Sequence, residues 1–169
     1  AREWKEKGGK VVGYPDVNCP EELAMAAGCL PLVMTGDPES GTETADKHLE
    51  PSFGDSARHF YEAVVTGQYH FVDLICFVTG DSSLSWIFHY IQEEKRLDPT
   101  LKIGEPYFLD RLPTTFAMDR EFNLGRLIAF KSYLEDFTGR RITNDALMQA
   151  FRITNETKRL LKEVTALRR

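Results

Sequence analysis

Glu22, Arg58, Asp81 and Ser82 are the side chains whose type and position could bind or process a ligand. Gly80-Asp81-Ser82-Ser83 could cradle an anion on its backbone N–H groups. The same four residues also suit a helix cap, and that is the stronger reading. Glu21 and Glu22 could supply a general base, although acids in a first helical turn also stabilise the helix. Arg58, beside His59, could pair with a carboxylate or phosphate, or sit in a surface ion pair. His48, His70 and His89 lack metal-ligand spacing and read as structural or exposed. Three cysteines, Cys19, Cys29 and Cys76, are an odd number without metal-type spacing. A helix of about 13 Å separates the first two and the third lies inside a strand, so buried thiols are expected rather than cluster ligands. Walker-A, Gly-x-Gly-x-x-Gly, Gly-x-Ser-x-Gly and His-Glu-x-x-His motifs are all missing from the sequence.

The elements that must position these residues alternate. Lys10 to Tyr14 reads as a buried strand, and Pro20 opens a helix over 21–27 that stops at Gly28. Leu30 to Thr35 is a second strand, and 36–54 is a long polar loop of the kind that is usually functional. A helix over 55–65, a strand over 71–78, a helix from the 80–83 turn to Lys95 and a strand over 101–109 follow. Pro106 places the last strand at an edge or a bulge. This order predicts an α/β fold: a four-stranded parallel sheet in a three-layer, Rossmann/flavodoxin-like arrangement with helices on both faces. After Pro113 only helices follow, over 117–137 and 144–167, read as an antiparallel pair against the sheet or a partner. The expected division is an α/β domain over 1–113 and a helical extension over 114–169. Ligands of open parallel sheets bind at the carboxyl ends of the strands, here the loops 14–20, 35–54, 79–83 and 109–116.

Composition narrows the classes. The chain has 169 residues, 42% hydrophobic and 28% charged, which suits one compact soluble domain. A formal net charge of −5 argues against nucleic acid as a partner. No run approaches the ~18 apolar residues of a membrane span, and the start lacks the apolar core of a signal peptide. Together with the cysteine usage this predicts a cytoplasmic protein.

Several segments resemble the 2-hydroxyacyl-CoA dehydratase and benzoyl-CoA reductase family. They are Lys10-Val11-Val12-Gly13-Tyr14, Pro20-Glu21-Glu22-Leu23 and Ala26-Ala27-Gly28-Cys29-Leu30-Pro31. Arg58 to Gly67, Phe71 to Asp81, Tyr133 to Gly139 with Ile142-Thr143, and Asn155 with Arg159-Leu160-Leu161 extend the likeness over essentially the whole chain. Family subunits are much longer and continue into a second α/β domain. The resemblance therefore implies the amino-terminal half of such a subunit or a naturally short relative. It also implies an acyl-CoA substrate, a two-subunit assembly carrying [4Fe-4S] clusters, and an ATP-dependent activator that delivers a low-potential electron. The family chemistry is radical dehydration of a 2-hydroxyacyl-CoA or reduction of an aromatic acyl-CoA ring.

At the positions where the family places cluster cysteines, this sequence has Gly54 and Gly80. Glycine offers no thiolate, so a cluster is expected on a homologous partner and not on this chain. The leading expectation is a subunit that shapes an acyl-CoA site, with Glu22, Arg58, Asp81 and Ser82 binding substrate, and supports an iron-sulfur-bearing partner. Two alternatives remain at this point. One is a non-redox acyl-CoA-binding or interaction module on the same scaffold, and the other is an unrelated flavodoxin-like domain binding a flavin or nucleotide.

Overall fold

The computed structural model describes residues 1–112, 114 and 116–168. Pro113, at the expected change from alternating to purely helical elements, lies outside the described residues, as does Arg169.

Four parallel strands form one sheet in the order β2-β1-β3-β4: β1 Val11–Tyr14, β2 Leu30–Val33, β3 Leu74–Val78 and β4 Glu105–Leu109. The two central strands are buried along their full length. Their side chains alternate between two cores, as the two-residue period of a strand requires. Val11, Ile75 and Phe77 face the helices α4 (Asp55–Val65) and α5 (Ser82–Leu97), where Phe60, Val64, Ile87 and Ile91 pack. Val12, Leu74, Cys76 and Val78 face the other side, against α2 (Glu21–Ala26) and α6 (Ala117–Thr138). This is the expected three-layer α/β fold.

Both prolines in strands lie in edge strands, Pro31 in β2 and Pro106 in β4. An edge strand can spare the missing N–H, which is why neither proline breaks the sheet.

Several boundaries differ from expectation. β3 begins at Leu74 rather than Phe71, because 67–71 form a turn in which Tyr69 C=O accepts the Val72 N–H. β4 begins at Glu105 rather than Leu101, because Asp98 closes α5 with a second turn through Leu101. Phe71-Val72 and Leu101 with Ile103 are apolar residues set directly before a strand, and hydropathy alone does not separate such a lead-in from the strand itself. Two short helices were not expected: α1 (Arg2–Glu6) and α3 (Ala45–His48), the latter inside the long loop.

The last two helices part company. α6 lays Phe130 and Leu134 on the sheet beside Leu74, Cys76 and Leu109. It ends at Gly139, whose φ of 68° is the left-handed conformation that glycine adopts without strain. Then α7 (Asn144–Ala166) turns onto α2, with Ala150 and Thr154 buried at that contact. The chain thus spreads these helices over two surfaces. Among the described residues no helix is long and apolar enough to cross a membrane.

Candidate functional site

The strand order places the topological switch between β1 and β3, whose following loops diverge to opposite faces. A crevice of about 800 Å³ opens there, at the carboxyl ends of the strands. The β1 loop brings Asp16, the β2 end brings Thr35 and Gly36, the first turn of α4 brings Gly54 and Asp55, and the start of α5 brings Asp81 and Ser83.

Close approach of backbones builds one wall. A Cβ on Gly36 would stand 2.3 Å from the His59 carbonyl carbon and 2.5 Å from the Phe60 nitrogen. Only glycine lets the β2 exit lie flat on α4. His59 is carried into the crevice lining by this contact, and its Nδ1 is buried without a hydrogen-bond partner among the described residues.

The crevice is acidic. Asp16, Asp55 and Asp81 line it, and no lysine or arginine stands among its described lining residues. Asp16 spends its carboxylate on the Asn18 amide and side chain, and Asp81 accepts from Ser83 N at 2.7 Å and Leu84 N at 3.3 Å as the N-cap of α5. Such a lining disfavours phosphate groups and suits an uncharged chain or an acyl group.

The residues singled out in the sequence fall in different places. Gly54 and Asp81 line the crevice. Gly80 lies at its rim, where an added Cβ would meet Asp16 Oδ2 at 3.4 Å and Asn18 Nδ2 at 3.5 Å. Ser82 lies in a neighbouring notch together with Ser83 and Trp86. Arg58 turns away and clasps the long loop: Nε donates to Phe53 O at 3.1 Å, Nη2 to Glu50 O at 2.7 Å and Nη1 to Asp46 Oδ1 at 2.5 Å. Glu22 points to α7, accepting from Thr154 Oγ1 at 3.1 Å, with Lys158 Nζ at 3.4 Å.

Three of the four expected loops meet at the crevice. The loop after β4 instead closes over the end of β3, where Arg111 N donates to Thr79 Oγ1 and Arg111 Nη1 reaches Asn18 O. Asp16 and Thr35 were not singled out in the sequence, and Ser83 was named only within the 80–83 cradle or cap. Their place just beyond β1, just beyond β2 and in the first turn of α5 is the signal that could have found them.

The 2-hydroxyglutaryl-CoA dehydratase D-component family model matches residues 16–169. The chain belongs to this family. That membership sets aside the reading as an unrelated flavodoxin-like domain. Two relatives show how the chain compares with longer members. It is 30% identical over 179 aligned residues to a benzoyl-CoA reductase subunit from Thauera aromatica, covering 99% of this chain and 43% of that protein. It is 24% identical over 167 residues to the beta subunit of (R)-2-hydroxyglutaryl-CoA dehydratase of Acidaminococcus fermentans, covering 97% of this chain and 42% of that one. It therefore spans under half the length of both relatives.

The [4Fe-4S] cluster implied by the resemblance does not fit the donors present. Gly54 and Gly80 offer no side chain, and all three cysteines are packed into the core beneath β1 and β3. Cys19, packed in the same core cluster, together with burial holds the Cys76 thiol well above the usual range. Burial pushes the Cys29 thiol up to about 11. Among the described residues no group of three or more His, Cys, Asp and Glu side chains is placed to hold a metal ion.

Proposed function

We propose that this chain is part of a dehydratase/reductase-type subunit that shapes an acyl-CoA site and supports an iron-sulfur-bearing partner subunit. The observation that carries the reading is the crevice at the β1/β3 switch point, in a chain whose relatives are named for acyl-CoA substrates. Its acidic lining, without lysine or arginine among the described residues, suits the acyl and pantetheine end of such a molecule. Asp81 holds the start of α5 in place, so that Ser83 lines the crevice and Ser82 the notch beside it. Arg58 acts on substrate through the 50–54 turn that it clasps. Electrons come from the partner and its ATP-dependent activator, since no thiolate of this chain stands at the crevice.

Anaerobic purification of the chain alone and with its co-purifying partner tests this. Iron and acid-labile sulfide are expected in the partner only, with acyl-CoA turnover requiring this chain. Stoichiometric iron on this chain alone would overturn the reading. The packing of all three thiols into the core favours one second reading, a non-redox acyl-CoA-binding or interaction module. Acyl-CoA binding by the chain with no redox partner in the preparation would support it.

A further inference from the structure

A second recess adjoins the crevice. It holds about 390 Å³ and lies between one face of α5 and the 50–53 turn. Ser82, Trp86 and Tyr90 recur every four residues and so fall on one helical face. Glu50 and Phe53 form the opposite wall, and Ser83 lines both recesses.

Its construction is specific. Phe53 packs edge-on against Tyr90, with ring centroids 5.9 Å apart at 84°. The wall is held by Arg58, which donates to the carbonyls of Glu50 and Phe53. Trp86, by contrast, is 62% exposed. A large aromatic surface left open beside a recess, and flanked by hydroxyls and a carboxylate, is what a planar ring with its own polar edge would complete.

We propose that this notch is a purine subsite: an adenine ring stacks on Trp86, its amino group toward Glu50 and its ring nitrogens toward Ser82 and Ser83. The inference deepens the acyl-CoA reading above and rests on it, placing the nucleotide end of the substrate beside the crevice that takes the acyl end. A carboxylate acceptor and two hydroxyls have a use against a purine edge and none against a plain aryl ring. The phosphates then lie outside the acidic crevice, where they avoid Asp16, Asp55 and Asp81.

Tryptophan fluorescence tests the assignment. The sequence contains two tryptophans, Trp4 and Trp86, so a Trp4→Phe background leaves Trp86 as the only indole. Adenosine is expected to quench Trp86 saturably, while benzoate and pantetheine do not. Trp86→Ala, at an exposed position that the fold does not depend on, is expected to weaken coenzyme A by about tenfold, in line with loss of one base-stacking contact, and to leave pantetheine binding unchanged. Coenzyme A binding equally well to Trp86→Ala overturns the subsite while the acyl-CoA reading stands. Quenching by benzoate and not adenosine also overturns it, in favour of an aryl group. Saturable adenosine quenching with no coenzyme A binding at all keeps the purine site and overturns the acyl-CoA reading instead.

Discussion

Glu62 accepts the backbone N–H of Ala45 at 2.6 Å and that of Thr44 at 2.8 Å. A buried carboxylate on α4 thus caps the short helix α3 from outside, across 17 residues of sequence. The bond converts the middle of a long polar loop into an ordered wall. Tyr61, one residue earlier, adds to it by donating to Glu94 at 2.6 Å beside His48. Burial first, and then this bond to Glu94, raise the Tyr61 hydroxyl far above the usual tyrosine range, so it remains a donor.

Glu62→Ala strands two amides without an acceptor, and the expected cost is about 2 kcal/mol. Glu62→Gln keeps one carbonyl oxygen and should recover most of it. Hydrogen exchange checks the mechanism: amides 44–49 should lose protection in the alanine variant well before the sheet does. Unchanged protection there would show that the loop is ordered by something else.

Arg58 makes three bonds to the same loop, to Asp46, Glu50 and Phe53, with its side chain only 14% exposed. Arg58→Lys should behave nearly like Arg58→Ala, because one ammonium cannot span three acceptors arranged for a planar fork. Both variants should lower the urea midpoint by an amount corresponding to ~1–3 kcal/mol and speed proteolysis between residues 44 and 54. Full rescue by lysine would point to charge alone and contradict the clasp.

The glycines at the crevice should respond unequally. Gly36→Ala forces a Cβ into the α4 backbone at 2.3 Å, so it should destabilise by about 2 kcal/mol or more and splay β2 from α4. Gly54→Ala meets nothing within 4 Å and should be silent by thermal denaturation. A melting temperature that falls equally in both variants would mean the close approach at Gly36 is not what constrains it.

Much of the fold was legible in the sequence, because its signals are local. Val11-Val12 and Leu74 to Val78 are apolar runs, Pro20 marks a helix start, and Gly28 and Gly139 mark stops. The crevice followed from element order alone. Less legible was the use made of the polar residues. Arg58 binds backbone carbonyls of Glu50 and Phe53, close in sequence but in an irregular loop that no pattern describes, and nothing near Glu22 reveals Thr154, which is 132 residues away. Such partners are decided by tertiary packing, which a single sequence does not display. The short α1 was illegible for a different reason. Five residues carry no periodicity, and Trp4 is held by its indole bond to Lys10 O and by the Gly9 N–H that its carbonyl accepts, partners that lie beyond the helix itself.

Cys29 supplies a pH dependence whose sign can be worked out. Burial is the main cause that lifts its thiol from 9.0 to about 11, while Lys10 pulls the other way, Asp73 adds to the rise and Arg140 opposes it. The folded state therefore holds the proton more tightly than the unfolded chain does. Its contribution to stability is full below pH 9 and is lost as pH rises from 9 toward 11, at up to about 1.4 kcal/mol per pH unit. Urea midpoints of the wild type and Cys29→Ala, measured between pH 8 and pH 10.5, isolate this group from the other alkaline titrations. The variant should lose less stability over that interval, and identical slopes would refute the assignment. At pH 8 the same shift leaves only roughly one thiolate in a thousand, so native Cys29 should resist alkylation while the urea-unfolded chain reacts readily.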